Sequence, residues 1–250
     1  MALRSSTVDI STSDGTADCY LTAPEGKGHH PAVLLYMDAF GLRPRLEEMA
    51  QRIAGEGYVV LVPNVFYRSG RAPLIDTDFI RNEDRGELFK TLGPLMKRLT
   101  PERAMRDADA YLDYLDAHDE VSEAPMGTVG YCMGGALALR TAAHRPERIG
   151  AVATFHGARL ATDAPDSPHL LVDRLRAEVY VASADKDQGM PPEQQQRLDE
   201  ALTEARVRHV CEQYDGAAHG FTMADTGAYD EAATDRHWAA LLDLFGRNLR

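Results

Sequence analysis

Short apolar runs rich in β-branched residues alternate along the chain with longer stretches whose apolar positions recur every three or four residues. A period near two marks strands and a period near 3.6 marks helices, so the pattern predicts the elements directly. Val8–Ile10 and Cys19–Leu21 predict edge strands around an Asp14–Gly15 turn. Ala32–Met37 and Gly57–Pro63 are apolar throughout, as parallel strands buried on both faces require, and Pro63 closes the second because proline cannot donate to a ladder. Leu46, Met49, Ile53 and Ala54 mark the helix between them.

Residues 64–100 change texture: charges, glycines and prolines with weak helical periodicity predict a variable excursion or small lid. Helix resumes with Thr100 as N-cap and Pro101 at the first helical position, and carries Met105, Ala108, Tyr111, Leu112 and Leu115 on its apolar face. Three more strand–helix units follow: Met126–Tyr131 into Gly134–Ala143, Ile149–Phe155 into a polar loop and short helix, and Glu178–Ser183 into Pro192–Ala205. A last strand, Val207–Tyr214, precedes a final helix from about Tyr229 to Leu249, with Ala232, Trp238, Leu241, Leu242 and Phe245 expected inward. Repeated β-α alternation predicts an α/β fold with a mostly parallel central sheet and helices on both faces. With no linker-like tract in 250 residues, a single domain is expected.

A formal charge of −12 opposes nucleic acid and anionic membranes as partners. The first residues lack the apolar core of a signal peptide, so a cytoplasmic protein, monomeric or homodimeric, acting on a small molecule is expected. The three cysteines, Cys19, Cys132 and Cys211, are far apart and form no CxxC pair, which suggests neither a disulfide framework nor a zinc knuckle. No cofactor and no metal are expected, although His29–His30 could chelate adventitiously.

One cysteine stands in a distinctive setting. Gly130-Tyr131-Cys132-Met133-Gly134-Gly135 lies where a predicted strand meets a predicted helix, which is the nucleophile-elbow pattern G-x-C-x-G-G with sulfur in place of oxygen. The nucleophile of such an elbow sits in a strained turn, and the flanking glycines let strand and helix pass closely. A thiol there feels the helix dipole, which favours the attacking thiolate. Cys19 and Cys211 have no such glycines and read as small buried hydrophobes. The elbow order places an acid after a later strand and a histidine after the last one. Asp185 follows Val179–Ala184, and His219 follows Val207–Tyr214. Asp187 competes from the same loop; Asp185 is preferred because it comes first after its strand. His156, ending another strand, reads equally as substrate-lining or structural. Met133 N–H is the first oxyanion donor, the second coming from the loop Asp38-Ala39-Phe40-Gly41. Asp38 there is either a helix-capping residue or a resting-state partner of the thiol proton.

These segments resemble the dienelactone hydrolase family, the carboxymethylenebutenolidases, from about Ala32 to Phe245. The resemblance is carried by Met37-Asp38-Ala39-Phe40-Gly41, Val62-Pro63-Asn64-Val65-Phe66-Tyr67, the Cys132 elbow, Ala184-Asp185-Lys186-Asp187 and Ala218-His219-Gly220-Phe221. It implies an α/β-hydrolase with a Cys132–Asp185–His219 triad, oxyanion N–H groups from Met133 and Ala39, and a thioester acyl-enzyme formed on a small ester or lactone. Asp38, Phe40, Tyr131, His156 and Met223 are the candidate substrate-binding residues. Two positions depart from the family: Asp38 replaces a glutamate, and Met223 replaces an arginine that pairs with a substrate carboxylate. Arg81 and Arg85 are the candidates to supply that cation instead. The rival readings are a binding or redox-sensing protein on the same fold, and a thioesterase.

Overall fold

The computed structural model describes the chain apart from Lys27 and residues 77–79 and 81–84, and leaves the side chains of 85–89 undescribed. It forms two compact units, residues 1–123 with 225–227, and residues 124–224 with 228–250.

In the first unit the strands β1 (Leu3–Thr12), β2 (Gly15–Pro24), β3 (Ala32–Tyr36) and β4 (Val59–Pro63) lie in the order β1-β2-β4-β3. The Asp14–Gly15 turn joins β1 and β2 as an antiparallel hairpin with Thr12 opposite Gly15, and both strands run longer than their apolar positions alone predict. β2 is not an edge strand: it also pairs antiparallel with β4, which explains its almost continuous burial. β3 and β4 pair in parallel and are buried at every position, as their unbroken apolar runs require. Helix α1 (Pro44–Ala54) buries the four predicted positions, Leu46, Met49, Ile53 and Ala54.

The excursion contains more regular structure than its periodicity suggests. Helix α2 (Arg85–Arg98) runs through it despite Gly93 and Pro94, and Leu92 packs in a cluster with Ile75 and Ile80. Tertiary packing thus overrides weak helix propensity here. Helix α3 (Pro101–Asp116) opens as predicted, with the Thr100 hydroxyl accepting a hydrogen bond from the Arg103 N–H.

The second unit holds β5 (Met126–Tyr131), β6 (Ile149–Phe155), β7 (Glu178–Ala184) and β8 (His209–Tyr214), all parallel and in sequential order. Helix α4 (Met133–His144) follows β5, a 3-10 turn over Pro168–Arg174 stands in place of the short helix after β6, and α5 (Pro192–Glu204) follows β7. Helix α6 (Glu231–Asn248) buries Trp238, Leu241, Leu244 and Phe245, whereas Ala232 is exposed. Among the described residues no helix is long and apolar enough to cross a membrane.

Candidate active site

Cys132 sits at the N-terminus of α4 with φ 55° and ψ −119°, a region that a non-glycine residue occupies only under local constraint. The constraint is visible around it. A Cβ added to Gly130 would lie 1.9 Å from the Gly134 carbonyl oxygen, and one on Gly135 would meet Gly157 and Thr154 at 3.2 Å. Strand and helix therefore close on each other only because these positions lack side chains. The Cys132 carbonyl accepts N–H bonds from Gly135 and Ala158, and its own N–H bonds Phe155 O at 3.3 Å. The thiol is left half-buried. Met133 is the first residue of α4, so its N–H has no acceptor within the helix and faces the helix entrance.

His219 is the imidazole this thiol meets. Its Nδ1 donates to Asp187 Oδ2 at 2.6 Å, and the ring also hydrogen-bonds Cys132. Since the carboxylate can only accept, the proton on Nδ1 is fixed and Nε2 is left for the sulfur side. Burial opposes charge on the ring, but its hydrogen bonds to Asp187 and Cys132 outweigh it and push the His219 pKa up to about 10.

The carboxylate that meets His219 is Asp187 and not the preferred Asp185. Chain direction is the reason. Asp185 directly follows β7 and spends its side chain on the neighbouring turn, accepting from Gly216 N at 3.2 Å and from Gln213 Nε2 at 3.4 Å. Lys186 then takes a left-handed conformation, φ 51°, which reverses the chain. Asp187 is carried inward to 7% exposure, where Oδ1 caps Gly189 N at 2.7 Å and Oδ2 holds the imidazole. The Asp187-Gln188-Gly189 sequence is an Asx-turn signal that could have identified the residue.

Other candidates fall differently. Tyr131 is buried in the core, its hydroxyl bonded to His237 Nε2 at 2.9 Å and its ring stacked near Phe155, so it presents no surface to a substrate. His156 is fully buried as well: Nε2 bonds Thr222 Oγ1 at 2.8 Å, and the ring stands edge-on to His219 with centroids 5.2 Å apart. Burial, with His219 and His237 nearby, holds His156 neutral, well below the usual histidine range. It packs against His219 and Phe221. Met223 is also buried, at 1% exposure.

In the first unit, Asp38 binds a buried guanidinium. Arg43, 1% exposed, places NH1 2.7 Å from Asp38 Oδ1 and NH2 3.0 Å from Oδ2, and turns Nε to Asp225 Oδ2 at 2.6 Å. Two carboxylates thus hold one buried guanidinium in the charged form against its burial. Asp38 Oδ1 also caps the Phe40 N–H at 3.0 Å, which shapes the turn presenting Ala39 and Phe40, and both of these pack on the Ile75–Ile80–Leu92 cluster. Arg81 lies outside the described residues, and Arg85 opens α2 with its side chain undescribed.

Comparison with known proteins settles the family. The model of the Dienelactone hydrolase family matches residues 17–249.

The chain belongs to the dienelactone hydrolase family.

Among relatives of this dienelactone hydrolase family member, a Rhodococcus opacus carboxymethylenebutenolidase is 26% identical over 238 residues, covering 92% of this chain and 86% of the relative. A candidate carboxymethylenebutenolidase from a Synechocystis strain is also 26% identical, over 92% of both chains. Among solved structures, a dienelactone hydrolase-like promiscuous phosphotriesterase from metagenomic libraries superposes with TM-score 0.83 at 26% identity over the whole of both chains. A candidate dienelactone hydrolase of Klebsiella pneumoniae shares the fold with TM-score 0.85 at 22% identity, over 98% of this chain and 99% of that one. The fold is accordingly the α/β-hydrolase fold, as the strand–helix alternation predicts. As a member of this family, the chain is an ester or lactone hydrolase.

Proposed function

We propose that this dienelactone hydrolase family member cleaves a small activated or cyclic ester with Cys132 as nucleophile, His219 as acid and base, and Asp187 as the residue that orients it. The observation that supports this most is one histidine hydrogen-bonded to both the elbow cysteine and a buried aspartate, the latter at 2.6 Å. The Cys132 thiolate attacks the carbonyl carbon, and the resulting oxyanion takes the Met133 N–H. Collapse of the tetrahedral species breaks the ester C–O bond, and the His219 imidazolium gives its proton to the leaving oxygen. Neutral His219 then takes a proton from water, whose oxygen attacks the thioester. The acid is released and the thiolate–imidazolium pair returns. Throughout, Asp187 keeps the Nδ1 proton in place and stabilises the charged ring.

The test is p-nitrophenyl acetate hydrolysis by wild type, Cys132→Ala and His219→Ala, with mass spectrometry of the quenched wild-type reaction. Losses of about 10³-fold or more in both variants, with an acetyl adduct on Cys132, are expected. Equal rates in all three proteins and no adduct would overturn the assignment.

A further inference from the structure

A second group of the same three residue types lies away from Cys132. Asp199 on α5 and His209 and Cys211 on β8 bring one ligand atom each within 4.8 Å of one another. His209 and Cys211 are two residues apart on one strand and so share a face, and α5 supplies Asp199 to that face. We propose that these three side chains form a binding site for a borderline-soft divalent cation of the zinc class, with the fourth coordination position open.

Donor geometry supports the site. His209 Nδ1 lies 2.8 Å from the Val207 carbonyl, which can only accept, so Nδ1 carries the proton. In the neutral ring Nε2 is then a lone pair, and it points at Asp199 Oδ1 from 3.2 Å. Two lone pairs at that distance attract only through a positive charge between them, either a proton or a metal ion. A backbone carbonyl on the far nitrogen is also the usual device that orients a metal-ligating histidine. Around tetrahedral zinc, bond lengths of about 2.0–2.3 Å set donors roughly 3.3–3.8 Å apart. The His209–Asp199 edge is already at that spacing. The remaining closure of about 1 Å falls within the rotamer freedom of Asp199, whose side chain is 52% exposed.

Charge and access agree with the geometry. The Cys211 thiol hydrogen-bonds Asp199, so the sulfur and the carboxylate already face each other. When a divalent ion binds, the thiol proton leaves to solvent, and thiolate plus carboxylate balance the 2+ ion. A cleft of about 190 Å³ opens onto Asp199 and Cys211, with Ser183, Gln195 and Gln196 on its walls, leaving the fourth position to water. Glu212 is not a ligand, since it is held by Tyr180 and Arg236. The ion would clip α5 to β8, the strand that leads into the His219 loop.

The experiment is a Co²⁺ titration of full-length Cys132→Ala protein, which removes the competing thiol at the elbow while Cys19 stays buried with 0% exposure. A thiolate-to-cobalt charge-transfer band saturating at one equivalent, and abolished by one equivalent of Zn²⁺, is expected. Adding Cys211→Val should eliminate the band, and adding His209→Ala should weaken binding at least tenfold, with circular dichroism checking that each variant is folded. If a variant does not fold, protection of the Cys211 thiol from a disulfide reagent by Zn²⁺ in the folded Cys132→Ala protein decides instead. No band and no protection, or a band that survives in folded Cys211→Val, would overturn the site.

Discussion

The molecule holds two Cys–His–Asp groups that differ in which nitrogen meets the aspartate. At the elbow, His219 gives Nδ1 to Asp187 at 2.6 Å and keeps its other nitrogen for Cys132, so the histidine is in the middle and a proton can pass between the ring and the sulfur side. At the β8 face, His209 spends Nδ1 on a backbone carbonyl and turns Nε2 to Asp199, which the Cys211 thiol also contacts. There the aspartate is in the middle and the donors converge on a point. The first arrangement suits proton transfer and the second suits chelation. Residue identity is the same in both; connectivity decides the chemistry. Burial reinforces the contrast, because Asp187 is 4% exposed at its side chain and Asp199 52%. A sequestered carboxylate holds its partner's charge strongly, whereas a solvated one is screened.

The largest expected separation is in activity. Asp187→Asn should lower kcat/KM by on the order of 10²–10⁴, the range expected when an orienting carboxylate is lost. Asp185→Asn and Asp199→Asn should each stay within about threefold of wild type, because neither side chain touches His219. Comparable losses in Asp185→Asn and Asp187→Asn would erase the distinction drawn from the Lys186 turn.

The pH profile sharpens the comparison further. The pKa of His219 is raised, so its imidazolium persists until pH rises through about 10, and the alkaline limb of kcat/KM belongs there. Removing the Asp187 charge removes the strongest upward influence and lets the proton leave earlier. The limb of Asp187→Asn should therefore move toward neutral pH, and a limb that stays in place would show that another group sets it.

The smallest effect concerns stability. Asp199→Asn loses one exposed contact and should change unfolding free energy by less than about 1 kcal/mol in metal-free buffer, read from denaturant midpoints. With saturating Zn²⁺ the wild type should gain stability that the variant lacks. Arg43→Met offers the opposite case, since it strands Asp38 and Asp225 and should cost about 3–5 kcal/mol.

Local pattern alone determined much of this protein. Continuous apolar runs identified β3 and β4, the Thr100–Pro101 pair fixed the start of α3, and the glycines around Cys132 marked the elbow, because each depends on residues close in sequence. The His219 loop was legible for the same reason: it follows the last strand. Tertiary structure decided what depends on direction and on distant partners. A left-handed Lys186 chose Asp187 over Asp185, and Arg43 gathered Asp38 together with a carboxylate 182 residues distant from the arginine, Asp225. Tyr131 and His156 were buried by packing from α6 and the His219 loop, which no local pattern encodes. The His209-x-Cys211 spacing was visible in the chain, yet its third member lies on the preceding helix and is ten residues away from His209, so only the fold brings the three donors together.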